Sequence, residues 1–297
     1  MNICQTLLES ASRSRFLLKE RKSEIAEVIL CRQNKDGGFI GKGAQSDLYY
    51  TGFALLSLLA LEVPFNRAQV VSFLNTADTG TDCDLAHLAA LIRCRRLMMP
   101  SNRQTQNAFR RRLESFRCSD GAYHHLHAAN QGSAYGCFLA VGAYQDLDAA
   151  LPDGSRDKML ECLERLNKGQ GGYFNEPDIP APSVPATAAA IVVQRALTGS
   201  VKSSKSVQWL MSCYDEGGFR VMPIAPVSDL LSTAVAVFAL SAAGADLKSI
   251  RQPCLCFTDM LWKGGVGFCA NPFDSSSDTE YMFYGLLTAG ILCAGIQ

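Results

Sequence analysis

The chain has 297 residues, 48% of them hydrophobic and 19% charged, with 28 Lys and Arg against 28 Asp and Glu. So apolar and charge-poor a chain suits a large buried core, and zero net charge without a basic stripe argues against a nucleic-acid partner. The longest uncharged apolar run, 281–296, falls short of the roughly 20 residues that cross a bilayer, so no transmembrane segment is expected.

The N-terminal run M-N-I-C-Q-T-L-L-E-S-A-S-R-S-R lacks the apolar core of a signal peptide. The 12 cysteines are scattered with no C-x-x-C pair, and Cys94, Cys137 and Cys293 lie inside apolar runs, where a free Cys behaves as a small hydrophobe. That usage fits a reducing compartment and predicts a cytoplasmic protein.

From there a unit recurs. A glycine turn carrying an aromatic is read at 36–39 (D-G-G-F), 120–123 (D-G-A-Y), 171–174 (G-G-Y-F), 216–219 (E-G-G-F) and 264–268 (G-G-V-G-F). After each comes an apolar helix rich in Ala and Leu, and one further such helix, A-H-L-A-A-L-I-R-C, follows no G-G turn. Before most turns lies an amphipathic helix such as R-D-K-M-L-E-C-L-E-R-L-N. A helix apolar on nearly every face is buried on every face, and a two-helix unit cannot hide that surface alone. Six outer–inner pairs therefore predict an all-α fold, a single closed six-pair (α/α)6 barrel spanning residues 1–297.

The inner helices are expected to start at Asp47, Asp82, Gln131, Ser183, Asp229 and Asp278. Asp and Ser there are strong N-caps favoured by the helix dipole. Two residues on stand Tyr49, Asp84, Ser133, Pro185, Leu231 and Glu280. Asp84 and Glu280 are the acids at that second position. Either a first-turn acid serves the dipole, or it faces the lumen as a proton donor. His87, three residues after Asp84, shares its face and is either its orienting partner or a core histidine. The segment H-H-L-H (124–127) offers three imidazoles, as weak metal ligands or as a solvated loop.

The G-G-F turn followed by S-D-L-Y-Y-T-G-F-A-L (46–55) resembles the repeat of protein prenyltransferase β subunits and, more broadly, the prenyltransferase and squalene-cyclase repeat. The resemblance runs through nearly the whole chain and is weakest in the second repeat. It implies a terpenoid-cyclase-type toroid and a hydrophobic isoprenoid as ligand. From the prenyltransferases it implies a catalytic zinc held by Asp-x-Cys and a His, plus a helical partner subunit. Here Leu231 replaces the Cys and Tyr281 the His, so a zinc site with about three donors is expected to be lost and no metal or other cofactor is expected. From the class II terpene cyclases it implies an Asp that protonates an alkene. D-C-D-L (82–85) keeps such an Asp at position 84.

The expected function is thus an isoprenoid-handling enzyme, most concretely a zinc-independent class II-like cyclase. Asp84 would donate the proton, Asp82 and His87 would orient it, and Glu280 would be the alternative acid or terminating base. Tyr49, Tyr50, Tyr135, Phe219, Tyr281, Tyr284 and Asp229 are expected to line the substrate site, with ring faces stabilising cations. The alternatives are a zinc-less prenyltransferase-like protein binding a lipid or peptide, and a non-catalytic interaction scaffold.

Overall fold

A computed structural model describes residues 1–77, 83–100, 102–201 and 204–293. Helix α1 (Ile3–Ser12) precedes six helix pairs. These are α2 (Lys22–Leu30) with α3 (Leu48–Ala60), α4 (Arg67–Thr76) with α5 (Leu85–Met98), and α6 (Arg103–Glu114) with α7 (Ala134–Asp146). They continue with α8 (Ser155–Asn167) and α9 (Val184–Thr198), α10 (Ser204–Ser212) and α11 (Leu230–Ala242), and α12 (Lys248–Met260) and α13 (Thr279–Cys293). Each of the second members packs on the next, α3 on α5, α7, α9, α11 and α13 in turn, and α13 closes back on α3. The result is the closed α/α toroid that the repeats predict.

Sequence accounts for the two layers. In α8 the buried Met159, Cys162, Leu163 and Leu166 fall at i, i+3, i+4 and i+7, the single stripe of an outer helix. In α9 every residue from Ala186 to Gln194 is buried, as an inner helix requires. The glycine turns fasten each layer to the other. Gly37 sits at φ 98°, and a Cβ there would lie 2.1 Å from the carbonyl oxygen of Gln69 in α4, so only glycine fits. The aromatic of the turn points into the core, and its N–H donates to a threonine one turn into the inner helix. Phe39 bonds Thr51, Tyr173 bonds Thr187 and Phe219 bonds Thr233, each at 2.9 Å.

Six N-caps set the register of the inner helices. Asp47 accepts from the N–H groups of Tyr49 and Tyr50, Asp84 from His87, and Ser133 from Gly136. Ser183 accepts from Ala186, Asp229 from Ser232, and Asp278 from Tyr281. Four of these match the expected starts. The second and third helices begin two residues later than expected, at Asp84 and Ser133 instead of Asp82 and Gln131. The short carboxylate and hydroxyl of Asp84 and Ser133 reach an N–H three residues on, which is what N-caps do. Asp82 itself lies outside the described residues.

Helix α1 was not foreseen as an element of its own. It packs on α3, α7 and α13 and closes the end of the barrel where the inner helices finish. Ile3 N–H donates to Gln145 Oε1 at 2.8 Å, and Gln145 Nε2 donates back to the Met1 carbonyl at 2.9 Å. Gly290 of α13 permits the approach, since a Cβ there would lie 2.0 Å from the Ser10 carbonyl oxygen.

Candidate active site

The barrel encloses a cavity of about 490 Å³, open at the N-terminal ends of the inner helices and closed below by Leu7 of α1. Its walls follow the caps. Two residues after each N-cap come Tyr49, Ala86, Tyr135, Pro185, Leu231 and Glu280, and all six line the lumen. One turn deeper come Phe53, Ala89, Phe138, Ala188, Val235 and Phe283, and nine residues after the cap come Leu56, Arg93, Val192, Phe238 and Leu287. That i, i+3/i+4, i+7 spacing is one helical face per repeat. Among the lining residues the side chains with formal charge are Glu280 in the top layer and Arg93 in the third.

Glu280 is held by tyrosines. Tyr49 Oη donates to Glu280 Oε1 at 2.7 Å and Tyr284 Oη to the same oxygen at 3.0 Å. Burial pushes the carboxyl above the usual range, the Tyr49 bond pulls it back in part, and the nearby Asp278 adds to the rise. Phe53 ties the wall together, its ring 5.0 Å from Tyr49, 5.6 Å from Tyr284 and 5.7 Å from Phe283. Both hydroxyls share Oε1, leaving Oε2 outside the tyrosine pair.

Asp84 and His87 sit elsewhere. Neither lines the cavity. The Asp84 side chain is 34% exposed and that of His87 40%. His87 Nδ1 is 2.7 Å from Asp84 and Nε2 is 3.2 Å from Asp47. The hydrogen bond to Asp47, opposed by desolvation and reinforced by Asp84, raises the imidazole to about 9. It is therefore an imidazolium clamping the caps of α3 and α5 together. Asp84 thus serves as a helix cap and one arm of this clamp, away from the lumen where a proton donor would meet a ligand.

Of the seven residues expected around a substrate, Tyr49, Tyr135 and Tyr284 line the cavity. Phe219 does not; it is fully buried in its turn, against Tyr214. Tyr50 packs against Gly41 and does not line the cavity, and Tyr281 lies beside Tyr284 without reaching the lumen. Asp229 caps α11, accepting from both the N–H and the hydroxyl of Ser232 at 2.7 Å.

The same residues test the zinc that the fold family implies, and they do not fit it. Leu231 offers no donor atom, and both oxygens of Asp229 are engaged by Ser232. Among the described residues, His124, His125 and Glu176 bring ligand atoms within 4.8 Å of one another. The Leu126 N–H donates to His124 Nδ1 at 3.1 Å, which puts the ring proton on Nε2, 3.3 Å from Glu176 Oε1. A cation would have to displace that proton, and His125 Nδ1, 3.9 Å from the same oxygen, is buried without a hydrogen-bond partner among the described residues.

Sequence reasoning missed Phe53, Phe138, Phe238, Phe283 and Arg93 as lining residues. The signal was the cap: once Asp84 is taken as the cap of α5, Arg93 falls on the lumen face.

A sequence model of the prenyltransferase alpha-alpha toroid domain matches residues 4–84 and 187–297. No curated protein matches the chain. Among solved structures, Candida albicans protein geranylgeranyltransferase-I complexed with GGPP aligns with a TM-score of 0.61 at 14% identity, over 82% of this chain and 84% of that one. The type II terpene cyclase MstE from Scytonema aligns with a TM-score of 0.60 at 12% identity, over 94% of this chain and 98% of that one. A variant of that cyclase in complex with merosterolic acid A, its product, aligns with a TM-score of 0.61 at 14% identity, over 94% and 97%. At these identities the likeness is one of fold, and with the matched repeats it establishes that the chain belongs to the prenyltransferase alpha-alpha toroid domain family.

Proposed function

We propose that the barrel takes up an uncharged isoprenoid and rearranges it by protonation from Glu280, a zinc-independent chemistry of the class II cyclase kind. The observation that carries this is a carboxyl raised by burial, set in the wall of an apolar, aromatic-lined cavity and aimed by two tyrosines. A scaffold barrel would fill its lumen with side chains. This one keeps a cavity in the size range of small-ligand sites. Asp84, the donor expected from sequence, is replaced in that role by Glu280 because it lies outside the cavity.

In the step, the Glu280 O–H breaks as the π pair of an alkene forms a C–H bond at the less substituted carbon. The positive charge is left on the tertiary carbon, facing the rings of Tyr49, Phe53, Phe283 and Tyr284. The carboxylate is stabilised at that moment by the two tyrosine hydroxyls. Loss of a proton from a neighbouring carbon, back to Glu280, restores the acid and releases an isomer of equal mass. The mouth holds Asp47, Asp84 and Asp278, with the imidazolium committed to the first two and Lys42 acting on Asp278 and Glu280, so a free diphosphate would compete with these carboxylates for cations. The rim loops carry exposed Ile224 and Phe273, an apolar approach for a lipophilic ligand.

The test is incubation with linear polyprenyl alcohols and their diphosphates, followed by mass spectrometry with chromatographic separation of isomers. Conversion of the alcohols to isomers of equal mass, lost in Glu280→Gln, is expected. Binding without any conversion would sink the catalytic reading and leave a lipid-binding barrel.

A further inference from the structure

The third lumen layer holds Leu56, Val192, Phe238 and Leu287, and Gly142 stands at the equivalent place in α7. The sixth member is Arg93. Its Nε donates to Asp146 Oδ2 at 2.9 Å, and the Asp146 side chain is 2% exposed. Burial works against the Arg93 charge, and Asp146 more than restores it. An arginine presents five N–H donors in a planar fork, and this pairing occupies the Nε one. Neither terminal nitrogen has a hydrogen-bond partner among the described residues, although Arg93 lines the cavity. Gly142 leaves the room for them: a Cβ there would lie 3.0 Å from Arg93 Nη2. Seven residues of helix separate this layer from that of Glu280, roughly 10 Å along the axis at the α-helical rise.

An apolar pocket with unmatched donors open to its floor favours a ligand that brings an acceptor there, since an apolar group would strip water from those donors without replacing its hydrogen bonds. The charge of that acceptor also follows. Asp146 already neutralises the guanidinium, and among the described residues no other Lys or Arg lines the cavity. An anionic group would bring uncompensated charge into a low-dielectric site, whereas a neutral oxygen accepts the hydrogen bonds at no such cost.

We propose that the floor of the cavity is a subsite for an uncharged oxygen (hydroxyl, carbonyl or ether) at the inner end of the ligand, bound by the terminal nitrogens of Arg93. This deepens the function proposed above: the isoprenoid enters with an oxygenated end foremost, and its alkene lies beside Glu280 nearer the mouth. Arg93 is here a specificity-determining residue. Asp146 and Gly142 are positioning residues.

The test is equilibrium dialysis of the full chain against matched linear probes: a polyprenyl hydrocarbon, its terminal alcohol, its terminal carboxylate, and an unbranched alkane with its alkanol. Wild type is expected to bind the polyprenyl alcohol roughly 10- to 100-fold tighter than the hydrocarbon, the range for hydrogen bonds to a charged donor, and the carboxylate no tighter than the alcohol. Arg93→Met alone would strand the buried Asp146. The informative variant is therefore Arg93→Met with Asp146→Leu, which removes both charges, its fold checked by circular dichroism and thermal melting. In it the alcohol and the hydrocarbon should bind equally. Equal binding of the two by wild type would overturn the proposal, as would a preference that survives in the double variant or tightest binding of the carboxylate. The unbranched pair keeps the two claims apart. If only the alkane and alkanol bind, with the same preference for the alkanol, the isoprenoid reading fails and the floor subsite stands. If polyprenyl chains bind and react with no preference for oxygen, the reverse holds.

Discussion

Asp84 and Glu280 open inner helices at the same end of one barrel, and their settings are opposite. Asp84 is the N-cap of α5, faces the mouth and is bound to an imidazolium that also holds Asp47. Glu280 stands two residues beyond the cap of α13, in the lumen wall, bonded to two tyrosine hydroxyls. The difference of two positions is more than half a turn of helix, enough to move a carboxyl from the mouth into the cavity. One site fastens two helices together through a shared imidazole. The other favours the neutral acid. Burial is the common cause where a carboxyl is raised at this end of the barrel: it lifts Glu280 and also the capping Asp229 and Asp278.

The strongest way to break this comparison is to remove each carboxyl while keeping its shape. Glu280→Gln should lower product formation by about 100- to 10,000-fold, the usual worth of a general acid, with the melting temperature held. Asp84→Asn, which still caps, should leave turnover within about threefold. Equal losses in the two variants would erase the distinction.

Next in size are the tyrosines. Tyr49→Phe and Tyr284→Phe each remove a bond that favours the Glu280 anion. Turnover should fall about 5- to 10-fold in each. Activity needs protonated Glu280 and so declines as pH rises through its raised pKa. In both variants that declining limb of the pH–rate profile should move to higher pH. A limb that moves down, or stays, would contradict the arrangement.

At the mouth the effects are on stability. Asp84→Ala should cost about 1 kcal/mol in denaturant unfolding, the usual worth of an N-cap. His87 is raised from an ordinary 6.5 to about 9. Its stabilisation is then fully present below about pH 6.5 and lost as pH rises through about 9. With the side chain 40% exposed, solvent screening limits this to about 1 kcal/mol or less. The gap in stability between wild type and His87→Gln should therefore close across that window.

Much of the fold was legible because its physics repeats. Glycine turns, apolar helices and capping residues recur, and four of six caps are identified directly. The slip came where the sequence offered two candidates. D-C-D holds two aspartates, and Q-G-S sets Gln131 ahead of the better-capping Ser133. That slip made Asp84 look like a lumen residue and hid Arg93, one of three arginines within the stretch R-C-R-R. The plug helix α1 carries no repeat signal, and its seat is set by tertiary contacts, the Gln145 hydrogen bonds and the close approach at Gly290. Phe219 and Tyr281 were misplaced because an aromatic near a glycine turn packs as readily into the core as into a cavity.

Infrared difference spectroscopy of the ligand-free protein tests the central claim most directly, by following the carbonyl stretch of protonated carboxyl groups through a pH titration. Wild type minus Glu280→Gln should reveal one carboxylic acid that ionises above the ordinary carboxylate range, and the same band should remain in Asp84→Asn. A band that disappears in Asp84→Asn and persists in Glu280→Gln would return the proton to the mouth and contradict the account.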